Sequence, residues 1–134
     1  MDDGPKLTPL EALAEHVRGA LGEKIDDHKF AYGELTLTTR GDAILDVVRF
    51  LRDDSGFISI VDICGVDFPE RDQRFDVVYH LLSPTENLRV RIKLPADDTV
   101  PVPSLTALYP GADWYEREAY DLYGILFSGH PDLR

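Results

Sequence analysis

The chain has 134 residues, of which 43% are hydrophobic and 29% charged, a composition typical of one globular domain with a sizeable core. A formal net charge of -11 argues against a nucleic-acid partner, because phosphate binding requires a cationic surface. No apolar run approaches the ~20 residues that span a bilayer, and the acidic N-terminus lacks a signal-peptide core, so we predict a soluble protein of a reducing compartment.

The cysteine and histidine content limits the metal and redox chemistry that we expect. The single cysteine, Cys64, rules out an internal disulfide and the four thiolates that usually hold an iron–sulfur cluster. The histidines show no metal-ligand spacing along the chain; they are His16, His28, His80 and His130. We therefore predict no metal and no cofactor on this chain.

The first predicted element is an amphipathic helix. Thr8 is suited to cap it, Pro9 to occupy its first position and Glu11 to complete a capping box, and Gly22 ends it. Apolar residues recur at helical spacing between these signals: Leu10, Leu13, Ala14, Val17 and Leu21.

A hairpin and a second helix follow. Strand-like runs lie at about 29–32 and 35–39, and Gly33-Glu34 between them predicts a two-residue turn. Asp42 is predicted to cap the second helix. Its inward-facing residues are predicted to be Ile44, Val47, Val48 and Leu51.

The stretch 57–68 is a nearly continuous apolar run with β-branched residues, which predicts a central strand. Asp62 lies inside this run. A carboxylate buried there is either bonded to a backbone N–H or an arginine, or is a catalytic acid or base. We interpret Cys64 as a small core residue rather than as a nucleophile.

Two further strands are predicted at 75–83 and 88–94. The second alternates between apolar residues on one side and Arg89, Arg91 and Lys93 on the other. This cationic face is either a docking surface for an acidic partner or a solvated face that keeps the sheet soluble.

The last predicted helix begins near Asp113, which has the spacing of a capping box with Glu116, and it runs to about Tyr123. Gly124 suits the left-handed residue just past its end. One predicted face consists of Tyr115, Ala119 and Leu122. Another, rich in aromatic and mixed-charge side chains, consists of Trp114, Arg117, Glu118 and Asp121.

The element order α-β-β-α-β-β-β-α predicts an α+β fold of two layers, with helices on one face of a mostly antiparallel or mixed five-stranded sheet. No repeat, low-complexity tract or linker divides the chain. We therefore expect residues 1–134 to form a single domain.

The C-terminal sequence carries a family resemblance. Residues 116–134 read Glu-Arg-Glu-Ala-Tyr-Asp-Leu-Tyr-Gly-Ile-Leu-Phe-Ser-Gly-His-Pro-Asp-Leu-Arg. This pattern resembles the signature of the 30 kDa subunit of proton-pumping NADH:quinone oxidoreductase, respiratory complex I. Residues 65–69 and 74–79 resemble parts of the two central strands of the same family, and the whole resemblance covers about residues 10–134.

The resemblance implies a non-catalytic structural subunit. In the family, this subunit has no redox centre and lies in the peripheral arm, in the quinone-reducing module, against the 49 kDa subunit and near the iron–sulfur subunits. FMN and the iron–sulfur clusters are then on neighbouring subunits, while NADH and quinone are substrates of the complex. The implied location is peripheral, on the cytoplasmic face of the bacterial cell membrane.

The residues that we expect to bind the partner belong to the aromatic, mixed-charge helix face and to the stiff turn after the helix. They are Trp114, Arg117, Glu118, Asp121, Gly129, His130, Pro131, Asp132 and Arg134. The family's chain normally continues past this point with another arginine and a long tail that wraps a neighbour. We therefore expect either a shortened chain or a short variant.

Two other hypotheses stay open. The chain is the equivalent subunit of a related membrane hydrogenase or of an oxidoreductase with another electron donor, or it is a small acid–base enzyme that uses Asp62 or His130. The enzyme hypothesis has little support from motifs, because the sequence has no phosphate-binding loop and no Gly-x-Gly-x-x-Gly fingerprint. Ser128, His130 and Asp132 are too close in sequence to be placed like a catalytic triad.

Overall fold

The computed structural model describes residues 7–97 and 99–131 and contains the eight predicted elements in the predicted order. The helices are α1 (Pro9–Leu21), α2 (Ile44–Asp53) and α3 (Ala112–Tyr123), with a 3₁₀ turn at Gly22–Lys24. The strands are β1 (Asp27–Ala31), β2 (Glu34–Thr38), β3 (Ser59–Asp67), β4 (Phe75–Ser83), β5 (Leu88–Ala96), β6 (Val102–Pro103) and β7 (Phe127–Ser128).

Five of the strands form one mixed sheet in the order β1-β2-β5-β4-β3. The pairs β1–β2, β5–β4 and β4–β3 are antiparallel, whereas β2 and β5 run parallel. A parallel pair requires a long crossover, and the crossover here contains α2, β3 and β4. The predicted α+β class is confirmed.

The two faces of the sheet have different chemistry because side chains alternate along each strand. Leu37, Ile92, Tyr79 and Ile63 are register partners across four strands, and all are buried. The next row, on the opposite face, is Thr36, Arg91, His80 and Asp62. The helices therefore cover the apolar face, and we call the other one the open face.

The N-terminal helix forms as its sequence predicts. Thr8 Oγ1 accepts the Glu11 N–H at 3.1 Å, and the Glu11 carboxylate accepts the Thr8 N–H at 2.8 Å. This reciprocal pair is the capping box. Pro9 occupies the first turn, and Gly22 ends the helix with a φ of 55°. Leu13, Ala14 and Val17 supply the buried stripe.

The hairpin turn is displaced by one residue from its predicted place. Ala31 pairs with Glu34, so the two turn residues are Tyr32 and Gly33 rather than Gly33 and Glu34. Their φ angles are 53° and 73°, which is the pattern of a type I′ turn. The prediction placed Gly33 at the first central position of the turn, whereas Gly33 occupies the second and Tyr32 the first.

The predicted cap of α2 is also wrong. The residue before the helix is Ala43, and it makes no side-chain capping bond. Asp42 instead pairs with Arg40 through an Nε to Oδ1 distance of 2.9 Å. The ion pair with this arginine occupies the carboxylate that we predicted to cap the helix. The predicted inward side chains of α2, Ile44, Val47, Val48 and Leu51, are all fully buried.

The strand predicted to be central, β3, lies at the edge of the sheet. Ile63 and Gly65 face the core, whereas Val61 and Val66 are 37% and 40% exposed. A continuous apolar run usually indicates burial on both faces. Here only one face of the strand is covered, and Asp62 is half-buried on the open face instead of deep inside the domain.

Two short strands that the sequence did not predict complete the fold. In the parallel pair β6–β7, Val102 is the partner of Phe127 and Pro103 of Ser128. Helix α3 is the crossover between them, as in a βαβ unit. This small sheet holds the chain before α3 beside the chain after it.

Candidate functional site

Helix α3 carries the signature residues, and its first turn differs from the prediction. The helix begins at Ala112 after Gly111, and Asp113 lies inside the helix rather than at a capping position. Glu116 is fully buried. Its carboxylate accepts the Ser104 O–H at 2.6 Å and the Leu105 N–H at 2.7 Å. The predicted capping box is therefore wrong, because both oxygens of Glu116 bind the loop that precedes the helix.

The buried carboxylate lies in a polar cluster under α3. Burial raises the pKa of Glu116, while the hydrogen bonds from Leu105 and Ser104 and the charge of His130 lower it. Burial, and next the charge of Glu116, raise the pKa of the Tyr79 hydroxyl, which finds no hydrogen-bond partner among the described residues. Fixed polar groups of this kind define one position for the helix on the sheet.

The turn after β7 folds back onto the first turn of α3. His130 Nε2 lies 2.9 Å from the Asp113 carboxylate and 3.1 Å from the Asp113 carbonyl oxygen. The His130 side chain is fully buried, and Gly129 before it has a φ of 78°. The imidazole predicted to contact a partner is therefore turned into its own domain, where it positions the turn.

The buried face of α3 is centred on Glu116. Ala112, Glu116 and Ala119 are buried, whereas Leu122, which the sequence grouped with Ala119 on one face, is 75% exposed. This orientation follows from Glu116. Its bonds to the preceding loop turn that residue inward, and residues three and four away in sequence share its face.

The aromatic, mixed-charge face of α3 lies on the surface, as its composition suggests. Trp114 is 65% exposed, and the other three side chains of this face are also exposed. We call Trp114, Arg117, Glu118 and Asp121 the α3 outer face. Gly129 and Pro131 are exposed in the neighbouring turn. Asp132 and Arg134, which we also predicted to bind a partner, lie outside the described residues.

A glycine allows the end of α3 to pack directly on β3. A Cβ placed on Gly65 would lie 2.8 Å from Tyr123 Cδ2 and 3.2 Å from Ile125 Cδ1. Real Cβ atoms do not approach ring carbons so closely, so only glycine fits this position without movement. Gly65 was noticed in the sequence only as part of the family resemblance; periodicity could not reveal its role.

The open face carries the other candidate residues. Arg91 is held by Glu34 through a 3.3 Å ion pair, while Arg89 and Lys93 flank it on β5. Cys64 is half-buried; burial and the nearby Asp62 raise the pKa of its thiol, whereas Arg91 lowers it. The open face therefore carries acidic as well as basic side chains, and it is not a uniform cationic surface.

Two solved structures share this fold. A trypsin-resistant fragment of Nqo5 superposes with a TM-score of 0.80 at 29% identity, covering 94% of this chain and all of the fragment. A chain of the membrane-bound sulfane sulfur reductase, an archaeal respiratory membrane complex, also has a TM-score of 0.80, at 24% identity over 92% of this chain and 73% of its own. The fold therefore defines the class: a two-layer α+β domain that also occurs in a respiratory membrane complex.

Sequence comparisons identify the family within this class. Residues 37–134 match the family described as respiratory-chain NADH dehydrogenase, 30 Kd subunit, and the chain belongs to that family. The C subunits of NADH-quinone oxidoreductase from Bartonella bacilliformis and Sinorhizobium medicae are 60% and 57% identical over 127 residues, or 93% of this chain. The chain spans 62% and 63% of the length of these two relatives. The family resemblance of the C-terminal sequence is confirmed.

The described helices include none that is both long and apolar enough to cross a membrane.

Proposed function

We propose that this chain is a non-catalytic structural subunit of NADH:quinone oxidoreductase, in the quinone-reducing module of the peripheral arm. It would support electron transfer from NADH to quinone coupled to proton translocation. FMN and the iron–sulfur clusters would lie on neighbouring subunits, and the complex would hold this chain peripherally on the cytoplasmic face of the bacterial membrane. The names of the relatives support the complex, and the surface chemistry of α3 supports a role in assembly.

The observation that carries the proposal is the α3 outer face. Trp114 is 65% exposed on a helix whose opposite face is buried. Isolated tryptophans contribute strongly to binding when a partner desolvates them, and arginines are similarly enriched at such positions. Arg117, Glu118 and Asp121 surround Trp114 with charges of both signs, which suits a polar rim around an aromatic anchor. We assign this face to a 49 kDa-type subunit.

The position of the α3 outer face is determined from several sides, so that a partner would meet it pre-formed. Glu116 and Gly65 fix the buried side of the helix, and the His130 turn packs against its start. Before the helix, Arg52 Nη1 donates to the Leu108 carbonyl at 2.8 Å, and the Tyr109 hydroxyl donates to the Phe57 carbonyl. A surface that is ordered before binding loses less conformational entropy on association.

The alternative is the equivalent subunit of a related membrane oxidoreductase with another electron donor. The observation in its favour is the shared fold with the sulfane sulfur reductase chain. The two readings differ in what should co-purify with the chain and in which donor drives the reaction.

Affinity purification of the tagged full chain from gently solubilised membranes of its own cells tests the proposal. We expect a 49 kDa-type subunit, iron–sulfur subunits and NADH-dependent quinone reduction to co-purify. Trp114→Ala should lower this recovery by about tenfold or more, since a hot-spot residue contributes at least about 2 kcal/mol. Tyr32→Ala, which removes an exposed aromatic ring on the hairpin, is the matched control and should leave recovery unchanged.

Each other outcome has a defined meaning. Undiminished recovery with Trp114→Ala would show that the α3 outer face is not the docking surface. Partners that use a donor other than NADH would support the alternative. Recovery of the chain alone would contradict both readings.

A further inference from the structure

Three side chains with metal-binding chemistry meet on the open face, where β3 pairs with β4. They are Asp62, Cys64 and His80, and one ligand atom from each lies within 4.8 Å of the other two. All three are half-buried, and none of them belongs to the α3 outer face. The sequence did not indicate this group. Cys64 lies two positions and His80 lies 18 positions after Asp62, and this is not a recurring metal-ligand spacing.

The strand register explains why these residues meet. Asp62 and His80 are direct partners across the antiparallel β3–β4 pair, and Cys64 is the partner of Val78. Asp62 and Cys64 are two residues apart on one strand and therefore share a face. His80 lies directly opposite Asp62 and diagonally opposite Cys64, so its ring can reach both side chains. The sheet itself thus fixes the triangle, on two paired strands whose register shifts between Ile60 and Asp62, next to the group.

The donor set is one carboxylate, one thiolate and one imidazole, and the ligands of zinc in proteins are drawn from these three groups. Tetrahedral zinc with bonds of about 2.0–2.3 Å holds its ligand atoms about 3.3–3.8 Å apart. The observed spread of up to 4.8 Å is wider by about one ångström, a contraction that side-chain rotation can supply. Half-burial leaves one side open for water as the fourth ligand.

The charges at the site suit a divalent cation. A thiolate and a carboxylate together neutralise a double positive charge, and a neutral imidazole adds a nitrogen donor without further charge. Arg91 and Arg89 are nearby cations that oppose metal binding, and the Arg91 guanidinium is paired with Glu34 at 3.3 Å. We propose that Asp62, Cys64 and His80 form a binding site for a divalent cation of the zinc class.

Cobalt titration of the 134-residue chain tests the site directly. Cys64 is the only cysteine, so a thiolate-to-cobalt charge-transfer band can arise only from this residue. We expect one cobalt per chain with this band, and displacement of the cobalt by zinc. Cys64→Ser should abolish the band. His80→Asn should weaken binding by more than the about tenfold to hundredfold loss that an outer-shell partner causes.

His16→Asn is the matched control. His16 Nε2 lies 2.7 Å from Asp54 Oδ1, which makes a second histidine–carboxylate pair without a cysteine. Its replacement should leave both the band and the stoichiometry unchanged. Binding that survives His80→Asn but is lost with His16→Asn would overturn the proposal, as would the absence of a thiolate band.

A measurement on the unaltered chain protects the test against variants that fail to fold. A ligand that binds only the folded state raises the midpoint of thermal unfolding. Zinc should therefore raise the midpoint of this chain, whereas magnesium, which prefers oxygen ligands, should not. An equal rise in the midpoint with both ions, or no rise with either ion, would contradict a zinc-class site.

Discussion

The carboxylate of Glu116 accepts the backbone N–H of Leu105 at 2.7 Å and so joins α3 to the loop that leads into it. The same carboxylate accepts the Ser104 hydroxyl, and the side chain is fully buried. An acidic residue in the family signature is therefore an internal anchor. It holds the surface that we assign to the partner without reaching that surface itself.

Replacing Glu116 should test this anchor. We expect Glu116→Ala to lower the free energy of unfolding by about 2–4 kcal/mol, because the Leu105 N–H and the Ser104 hydroxyl lose their buried acceptor. Glu116→Gln keeps the volume and one acceptor oxygen, so its loss should be smaller. Glu118→Ala, on the exposed face of the same helix, should change stability by no more than about 0.5 kcal/mol. Urea denaturation of the three variants measures these differences, and equal losses for positions 116 and 118 would rule out the anchor.

The buried carboxylate should also leave a signature in the pH dependence of stability. Because burial raises the pKa of Glu116 in the folded state, protonation is easier in the folded chain than in the unfolded chain. The stability contributed by this group is therefore fully present below its unfolded pKa and is lost as pH rises through the raised folded pKa. The unfolding free energy of the unaltered chain minus that of Glu116→Gln should increase on acidification through this window.

The difference between the two chains is needed because other carboxylates lower the stability of the folded chain on acidification. The hydrogen bond from Arg74 lowers the pKa of Asp67, and that from Lys24 lowers the pKa of Asp46, so acid removes their contributions. Both groups are present in the unaltered chain and in Glu116→Gln, and their effects cancel. A difference that stays flat between neutral and acidic pH would show that the pKa of Glu116 is not raised.

The contact between Gly65 and Tyr123 predicts a second sensitive position. Gly65→Ala places a methyl group 2.8 Å from a ring carbon, and we expect a loss of about 1–3 kcal/mol from overpacking. Gly19→Ala is the control, because its Cβ would meet no described atom within 4 Å and it lies within α1. That change should stabilise the chain by about 0.5–1 kcal/mol through helix propensity. Chemical denaturation distinguishes them by sign, and a neutral Gly65→Ala would show that α3 can move away from β3 at no cost.

The hairpin turn offers a stabilising substitution. Tyr32 is fully exposed and has a φ of 53°, a conformation that asparagine and glycine adopt more readily than tyrosine. We expect Tyr32→Asn to raise the free energy of unfolding by about 0.5–1 kcal/mol. Tyr32→Val, which places a β-branched residue in the same conformation, should lower it. The two thermal midpoints should lie on opposite sides of that of the unaltered chain, and a shared direction would argue against backbone strain at this position.

Local signals in the sequence predicted most of the elements correctly. The capping box at Thr8 and Glu11, the full extent of β4, the alternation of β5 and the left-handed Gly124 all depend on residues close in sequence. Such features require only a short stretch of backbone and the period of its side chains. The family signature could be recognised for the same reason, since it is one continuous stretch of sequence.

The errors arose where a carboxylate that could cap a helix binds another group instead. Asp42 bonds Arg40, Glu116 bonds the loop at Ser104 and Leu105, and Asp113 meets His130. Each of these acids also has a plausible local use as a helix cap. A buried or charge-assisted partner outweighs a solvated cap. For Glu116 and Asp113 the partner lies in another segment of the chain, so no local pattern shows that it is near.

Local patterns are sufficient to predict the order and type of the eight main elements, the α+β class and the family, because periodicity, caps and a continuous motif are properties of short stretches of chain. The short strands β6 and β7 were not predicted. Long-range packing places β3 at the edge of the sheet, turns Glu116 and His130 inward, and brings Asp62, Cys64 and His80 together on the open face. These outcomes depend on strand order and register. Both are set by the packing of the whole core, in which each residue's surroundings come from segments far away along the chain.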